Sequence, residues 1–518
     1  MFPKNARSGA SLALAALSLC LAPALARAGE KAEIRPSIIV EQDYDDNIFN
    51  VPNGDPNHKG SPITIIRPTL NLESNGTLGR YYLDGWLSSH TFWDESELSG
   101  VDRGIGGGLD RTIFPRLSIF GDGSYQRLAA HAEIRAPNET NFITPAPGTG
   151  SEPVIIPGEL IEGSIPNVDL AQGELGARYL LTPLDKLTLS GGPYLIDYLG
   201  SQAGRTDLRD RSGWFTRLGL AHSLTYLDTI SFELGASSTD TDDAIFRNVP
   251  VNDPFDPHLV PVNTGKDQSD LQSFTIGWDR NWNELWVTHF EIGVRRLDST
   301  TKNAQREVSR VGPASIPGSG DSLGVAQFTD FVPTDFESVG PGIIGSLTIR
   351  RALPRGRAEL SYQRETRTTS SLFSSDVNVD SLALAYIHNL AAHATLGITA
   401  TYEHYKTVND NPQITGAEYV QNSFNPITGP SFTCPTGSLV LIGSGANKGG
   451  QCQIGNSSRF QSDALYGEAR IDWQLRKRLS TFVTFRYTQR TGDVQLFGPA
   501  YNKFNVGVGF SWDFSMAY

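Results

Sequence analysis

Apolar and polar positions alternate along the final stretch of the chain. Phe504, Val506, Val508, Phe510, Trp512, Phe514, Met516 and Tyr518 interleave with Asn505, Gly507, Gly509, Ser511, Asp513, Ser515 and Ala517. Side chains of a β-strand point alternately to its two faces, so a period of two predicts a strand with one apolar and one polar face. The signature recurs upstream. Leu479, Val483, Phe485 and Tyr487 oppose Ser480, Thr484, Arg486 and Arg490; Leu465, Ala469, Ile471, Trp473 and Leu475 oppose Tyr466, Glu468, Arg470, Asp472 and Gln474. Leu396, Ile398, Ala400 and Tyr402 oppose Thr395, Thr399, Thr401 and Glu403, while Ala358, Leu360 and Tyr362 oppose Glu359, Ser361, Gln363 and Glu365. Segments like these suit lipid-facing strands, although a water-soluble sandwich alternates in the same way.

The connections separate the two. Short turns are expected near residues 74–80, 114–116, 182–186, 227–229, 282–285, 351–357, 389–393 and 475–479. Longer loops, mostly rich in Pro, Gly, Asn and Asp, are expected near 45–61, 93–101, 129–167, 200–211, 240–267, 298–333, 368–376, 406–460 and 490–500. Turns and loops therefore alternate, as in outer-membrane barrels with short periplasmic turns and long outer loops. A sandwich has no reason to sort its loops this way. The expected fold class is all-β: a transmembrane antiparallel up-and-down β-barrel of about 18 strands, with 16 as the alternative count and both termini on the short-turn side. Its first two strands, 33–42 and 62–74, both contain Pro, which is poorly suited to a central strand. Trp86, Trp93, Trp214, Trp278, Trp282, Trp286, Trp473 and Trp512 all fall on or next to these strands. They are read as interface girdles.

Composition adds the compartment. Lys4 and Arg7, the apolar run from Ala10 to Ala24 and the Ala26-Arg27-Ala28 triplet before Gly29 have the order of an export signal. The expected division is a signal peptide at 1–28 and one barrel domain at 29–518. Cys20 lies in the apolar run, but Leu19 precedes it where a lipoprotein site needs a small residue, so plain cleavage is preferred. No later run of eighteen apolar residues marks a membrane helix. Aromatic residues at 10%, 52 Gly and 19% charged residues suit a turn-rich all-β chain. A net charge of −13 argues against a nucleic-acid partner and suits an outer-membrane surface, where divalent cations bridge acidic groups. After cleavage Cys434 and Cys452 remain, in one Gly/Ser/Asn/Pro-rich stretch, and a local disulfide is expected.

Strand parity assigns an inner face. Its candidates are Tyr82, Trp86, His90, Asp122, Glu174, Arg178, Arg217, Glu233, Asp279, Glu291, Arg295, Glu359, Glu365, Glu468, Arg470, Asp472 and Arg486. These charges line water or pair across the lumen, because Arg or Lys facing the bilayer midplane costs about 2–4 kcal/mol. Both signs are mixed, so the sequence sets no ion selectivity. Tyr82, Asp84, Trp86, Ser88, His90 and Phe92 share one face of one strand. Facing inward they form an aromatic ladder suited to sugar rings; facing outward they are lipid-facing rings.

Other chemistry is missing. Gly104-Ile105-Gly106-Gly107-Gly108 lacks the Lys-Ser/Thr of a phosphate loop. No metal pattern, cofactor motif or hydrolase constellation appears, and the chain is not expected to be an enzyme. Asp43-Tyr44-Asp45-Asp46-Asn47 begins like a calcium loop but lacks its Gly and distal Glu. It is read as solvated loop acid, as is the group Asp240, Asp242 and Asp243.

Asp43-Tyr44-Asp45-Asp46-Asn47-Ile48-Phe49, the Pro62-Ile63-Thr64-Ile65-Ile66-Arg67-Pro68 strand and the aromatic C-terminal strand resemble a family of outer-membrane β-barrel porins associated with capsule and exopolysaccharide systems. The resemblance implies an outer-membrane conduit for polysaccharide, with lipid, polysaccharide and periplasmic export components as partners. It implies no catalytic residues. A general diffusion porin, a structural or adhesive barrel and a barrel hydrolase remain the alternatives. The cargo, the oligomeric state and the gating partner are left open.

Overall fold

The computed structural model describes residues 31–49, 52–56, 58–76, 79–129, 167–199, 210–241, 245–250, 259–263, 266–315, 322–368, 376–407, 418–422, 439–442, 449–453, 461–492, 500–514 and 516–517. The expected signal peptide lies outside them. Of the 22 strands in the main sheet, three belong to one loop and one continues the last strand, which leaves 18 in the wall. In chain order they are β1 (Lys31–Asp45), β2 (Ser61–Asn75), β3 (Gly79–Phe92), β4 (Gly100–Phe114), β5 (Leu117–Leu128), β6 (Asn167–Leu180), β7 (Asp185–Leu199), β8 (Arg211–Ser223) and β9 (Asp228–Thr241). There follow β10 (Lys266–Asn281), β11 (Trp286–Ser315), β12 (Ser322–Leu353), β13 (Gly356–Thr368), β14 (Asp376–Ala391), β15 (Ala394–Thr407), β16 (Gln461–Arg476), β17 (Leu479–Gly492) and β18 (Tyr501–Asp513). Each pairs antiparallel with its sequence neighbours, and β18 pairs antiparallel with β1, with Ile38 opposite Trp512 and Tyr44 opposite Val506. The sheet is thus a closed barrel without a free edge, as a strand wall inside lipid requires.

The two faces invert the order of a water-soluble protein. Leu175, Leu189, Leu218, Leu234, Ile292, Val294, Ile343, Leu384, Val508 and Phe510 all point outward and are exposed, Leu175 to 67% and Ile343 to 64%. Ser190, Thr275, Thr401, Glu403, Thr484 and Asn505 point inward and are buried. A continuous apolar ring of this extent belongs in hydrocarbon. Trp278, Trp282, Trp286, Trp473 and Trp512 lie near the short-turn end, whereas Trp214 lies near the long-loop end, as girdles at two interfaces require. Leu234 sits mid-strand on the outer face, so Leu234→Arg is expected to cost about 2–4 kcal/mol, against about 0–1 kcal/mol for Ser238→Arg near the outer end. Urea unfolding in lipid vesicles measures both; equal costs would remove the membrane belt.

The eight expected turns are all present, and so are nine longer connections. The 298–333 connection differs from expectation. It is not a loop: β11 and β12 run for 30 and 32 residues and stay paired from Trp286↔Arg351 out to Ser315↔Ser322. Past Lys302 of β11 and before Gly345 of β12 the two strands have left their flanking wall strands and run on paired with each other. The 406–460 connection contains three short strands, of which Glu418–Asn422 lies parallel to Val308–Val311 of β11. Cys434 lies outside the described residues, and with it the expected disulfide to Cys452. At the outer mouth the inward Ile63, Ile65 and Phe92 form a small apolar cluster, covered by Ile48 and Leu98 from the two adjoining loops.

Candidate functional site

Two stretches of inner wall carry the densest chemistry. The first spans β3 to β6. Cross-strand register places Tyr82, Asp84, Trp86, Ser88 and His90 of β3 opposite Gly108, Gly106, Gly104, Asp102 and Gly100 of β4. Arg67 Nε on β2 donates to Ser88 Oγ at 3.3 Å, and His90 Nε2 contacts Asp102 Oδ2 at 3.1 Å, both side chains being largely buried. The face carrying Tyr82, Trp86 and His90 is therefore the one shared with buried polar groups. Trp86 thus departs from the girdle reading.

The glycine run on β4 explains how these side chains lie. A Cβ at Gly108 would come within 2.6 Å of Tyr82 Cε1, at Gly106 within 3.0 Å of Asp84 Oδ1, and at Gly104 within 2.5 Å of Trp86 Cε2. Any larger residue at 104 or 108 would collide with a ring. The absent side chains let Tyr82 and Trp86 lie down along the wall, with Asp84 between them. Successive same-face residues are about 7 Å apart, so ring, carboxylate and ring repeat at that spacing.

Beyond β4 the same face continues through Asp122 of β5, directly opposite Glu174 of β6. Two strands away, Arg178 of β6 reaches over the Phe120 ring at 4.1 Å to donate to Asp110 Oδ2 of β4 at 2.6 Å.

The second stretch is the closure seam. Arg486 of β17 meets three carboxylates: Glu468 Oε2 of β16 at 3.2 Å, and Asp43 Oδ2 and Glu41 Oε1 of β1 at 3.3 and 3.6 Å. Lys503 of β18 meets Asp45 Oδ2 at 2.8 Å, and Asp45 Oδ1 accepts the backbone N–H of Asn47 at 2.9 Å. The backbone N–H of Phe504 donates to Asp46 Oδ1 at 2.7 Å. Gly507 leaves room for this group, since a Cβ there would crowd Asp43, Glu41 and Thr484. The Asp43–Asn47 motif is thus not solvated loop acid. Asp43 and Asp45 are buried strand residues that tie the first strand to the last. Within the second acidic group Asp240 is the penultimate residue of β9, and Asp242 and Asp243 lie outside the described residues.

The remaining candidates fall into local pairs around the wall. Asp279 Oδ1 lies 2.7 Å from His289 Nδ1, with Glu291 Oε2 3.8 Å from His289 Nε2. Glu359 pairs with Arg350 at 2.7 Å, directly cross-strand. Glu365 accepts from Gln363 at 2.8 Å. Arg470 grips Asp472 at 2.8 Å and lies over the Phe482 ring at 3.9 Å. Arg295 crosses over Gly342 to donate to Asn378 Oδ1 at 2.6 Å. Arg217 lies over Phe215 at 5.1 Å, and Glu233 sits opposite Gly219. Candidates therefore gather at the β3–β6 wall and the seam, and elsewhere form neighbour pairs. Glu41, Asp43, Asp45, Asp102 and Lys503 were missing from the sequence candidates. A period-two run of acids, Glu41-x-Asp43-x-Asp45, was the available signal.

No protein-family model and no curated protein matches the sequence. Among solved structures, the open form of the ferric-catecholate import receptor Fiu from E. coli K12 aligns over 94% of this chain and 82% of its own, at 9% identity and a TM-score of 0.40. The siderophore receptor PirA from Acinetobacter baumannii aligns over 92% and 80%, at 9% identity and 0.40. The ferric citrate transporter FecA in the unliganded form aligns over 92% and 63%, at 8% identity and 0.43. The closed 18-strand wall, its outward apolar belt, its polar interior and its sorted turns and loops make this chain a bacterial outer-membrane β-barrel.

Proposed function

We infer that the protein carries solute through its lumen across the outer membrane, as a conduit for polysaccharide. The observation that carries this reading is the pair of rings, Tyr82 and Trp86, laid along the inner wall over glycines. A pyranose ring has apolar C–H faces and a polar rim. A flat aromatic with carboxylates and hydroxyls beside it complements both. A wall of this strand number leaves room for an aqueous channel. The resemblance of residues 43–49 and 62–68 to capsule-associated porins points the same way. Under this reading periplasmic export components deliver the chain.

Proteoliposome swelling tests it. Vesicles holding the refolded protein are expected to swell in neutral linear oligosaccharides and to remain shrunken in a branched dextran too wide for the lumen. Swelling in small solutes with no dependence on sugar would leave a general diffusion porin. Vesicles that never swell, with the protein verified as a heat-modifiable barrel, would favour a structural or adhesive role.

A further inference from the structure

We propose that the β3–β6 wall selects sugars that carry a free, protonated amine: cationic hexosamine units rather than neutral or acidic ones. The proposal rests on the conduit reading above and names the class of its cargo. It comes from comparing the inward carboxylates. Most hold a basic side chain: Glu41, Asp43 and Glu468 hold Arg486; Asp45 holds Lys503; Asp102 holds His90; Asp110 holds Arg178; Glu359 holds Arg350; Asp472 holds Arg470.

Asp84, Asp122 and Glu174 are different. Among the described residues no Lys, Arg or His pairs with any of them. The nearby basic groups are committed elsewhere, Arg178 to Asp110, Arg67 to Ser88, and Arg80 to Glu73 with its guanidinium 5.8 Å from the centre of the Tyr82 ring. Asp122 and Glu174 stand directly opposite each other on one face, an arrangement that repels when both are charged. Glu174 is 5% exposed, and its Oε2 is buried with no hydrogen-bond partner. A buried acceptor left without a donor is costly, so this wall is built to receive positive charge from outside the chain. Glu174, directly across from Asp122, adds its field to it; Asp84 and Asp122 are the half-buried, approachable members.

The arrangement does not suit one metal ion. Among the described residues no cluster of three or more His, Cys, Asp or Glu is placed to hold one. The carboxylates are spread over β3, β5 and β6 and interleaved with Tyr82 and Trp86, and Tyr82 is within electrostatic reach of both Asp84 and Asp122. Ring faces attract ammonium groups as well as C–H faces. Rings alternating with unpaired carboxylates fit an extended polymer whose apolar faces stack while its ammonium groups meet acid. They disfavour uronic acids, whose carboxylates would be repelled.

The test is current block of the refolded full-length channel by glucosamine oligomers, by N-acetylglucosamine oligomers of equal length, by maltooligosaccharides and by oligogalacturonate. The free-amine oligomer is expected to block at about ten-fold lower concentration than either neutral series, the effect of one charge-assisted hydrogen bond, and oligogalacturonate least. In Asp122→Asn/Glu174→Gln the ratio of neutral to cationic blocking concentrations is expected to collapse toward one. Asp84→Asn, at an approachable position, serves as a second variant read in the same way. Equal block by cationic and neutral oligomers, or a preference that survives both variants, overturns the proposal while the conduit stands. Calcium or spermine competing as well as the hexosamine overturns it in favour of plain cation binding. Absence of block by every sugar defeats the conduit reading and this proposal together.

Discussion

Arg486→Ala is expected to be the most damaging single substitution in the wall. It would leave Glu41, Asp43 and Glu468 facing one another without their shared cation, and their side chains are only 7%, 2% and 16% exposed. Removing one partner of a buried ion pair typically costs about 3–5 kcal/mol, because the stranded charge is desolvated without compensation. The loss would appear as a lower urea midpoint and as loss of the heat-modifiable band on gels. Adding Glu41→Gln and Asp43→Asn to Arg486→Ala should recover much of the loss, since the repulsion would be gone. A loss below about 1 kcal/mol, the range of exposed surface pairs, would mean that the seam is solvated and not held by this cluster.

The seam charges also set register. Side-chain direction alternates with each residue, so a one-residue slip of β18 against β1 would leave Lys503 on the face opposite Asp45. A matching slip of β1 would turn Glu41, Asp43 and Asp45 into lipid. Both misalignments cost more than the native closure, which gives the first and last strands a single permitted pairing.

Trp86→Ala carries the second large effect. Its ring lies on the wall over Gly104, and one lost stacking contact is worth about 1.4 kcal/mol, or about ten-fold in affinity. The concentration of a neutral oligosaccharide needed to block the current should rise by that factor. Gly108→Val should act in the same direction by forcing the Tyr82 ring off the wall. Trp214→Ala, on the outer belt, should leave sugar block unchanged. A Trp86→Ala channel blocked as readily as the parent would show that the rings do not touch the sugar.

Much of the barrel was legible because lipid imposes a strict rule. Val483, Phe485, Val508 and Phe510 face hydrocarbon while Thr484, Arg486, Gly507 and Gly509 face inward, and this alternation with the sorted loops leads directly to 18 strands. Where lipid ends the rule ends. The β11–β12 hairpin runs on past its flanking strands, and its Pro- and Gly-bearing sequence at 298–333 reads as a loop. At the outer end of β1, Glu41, Asp43 and Asp45 interleave with Val40, Gln42 and Tyr44. Acid beside Asn suggested a loop more strongly than the period suggested a strand. Trp86 was grouped with girdle tryptophans because ring composition does not reveal facing; the glycines opposite it on β4 do. The pairing of Asp122 with Glu174 depends on register across a connection of 38 residues, which spacing alone cannot supply.

The most direct measurement is the single-channel conductance of the refolded protein in a planar bilayer, recorded with and without a long neutral oligosaccharide. An open, sugar-conducting lumen predicts large, discrete current steps that the oligosaccharide interrupts reversibly. A verified barrel that passes no current, or one whose large steps are indifferent to sugar, would contradict it.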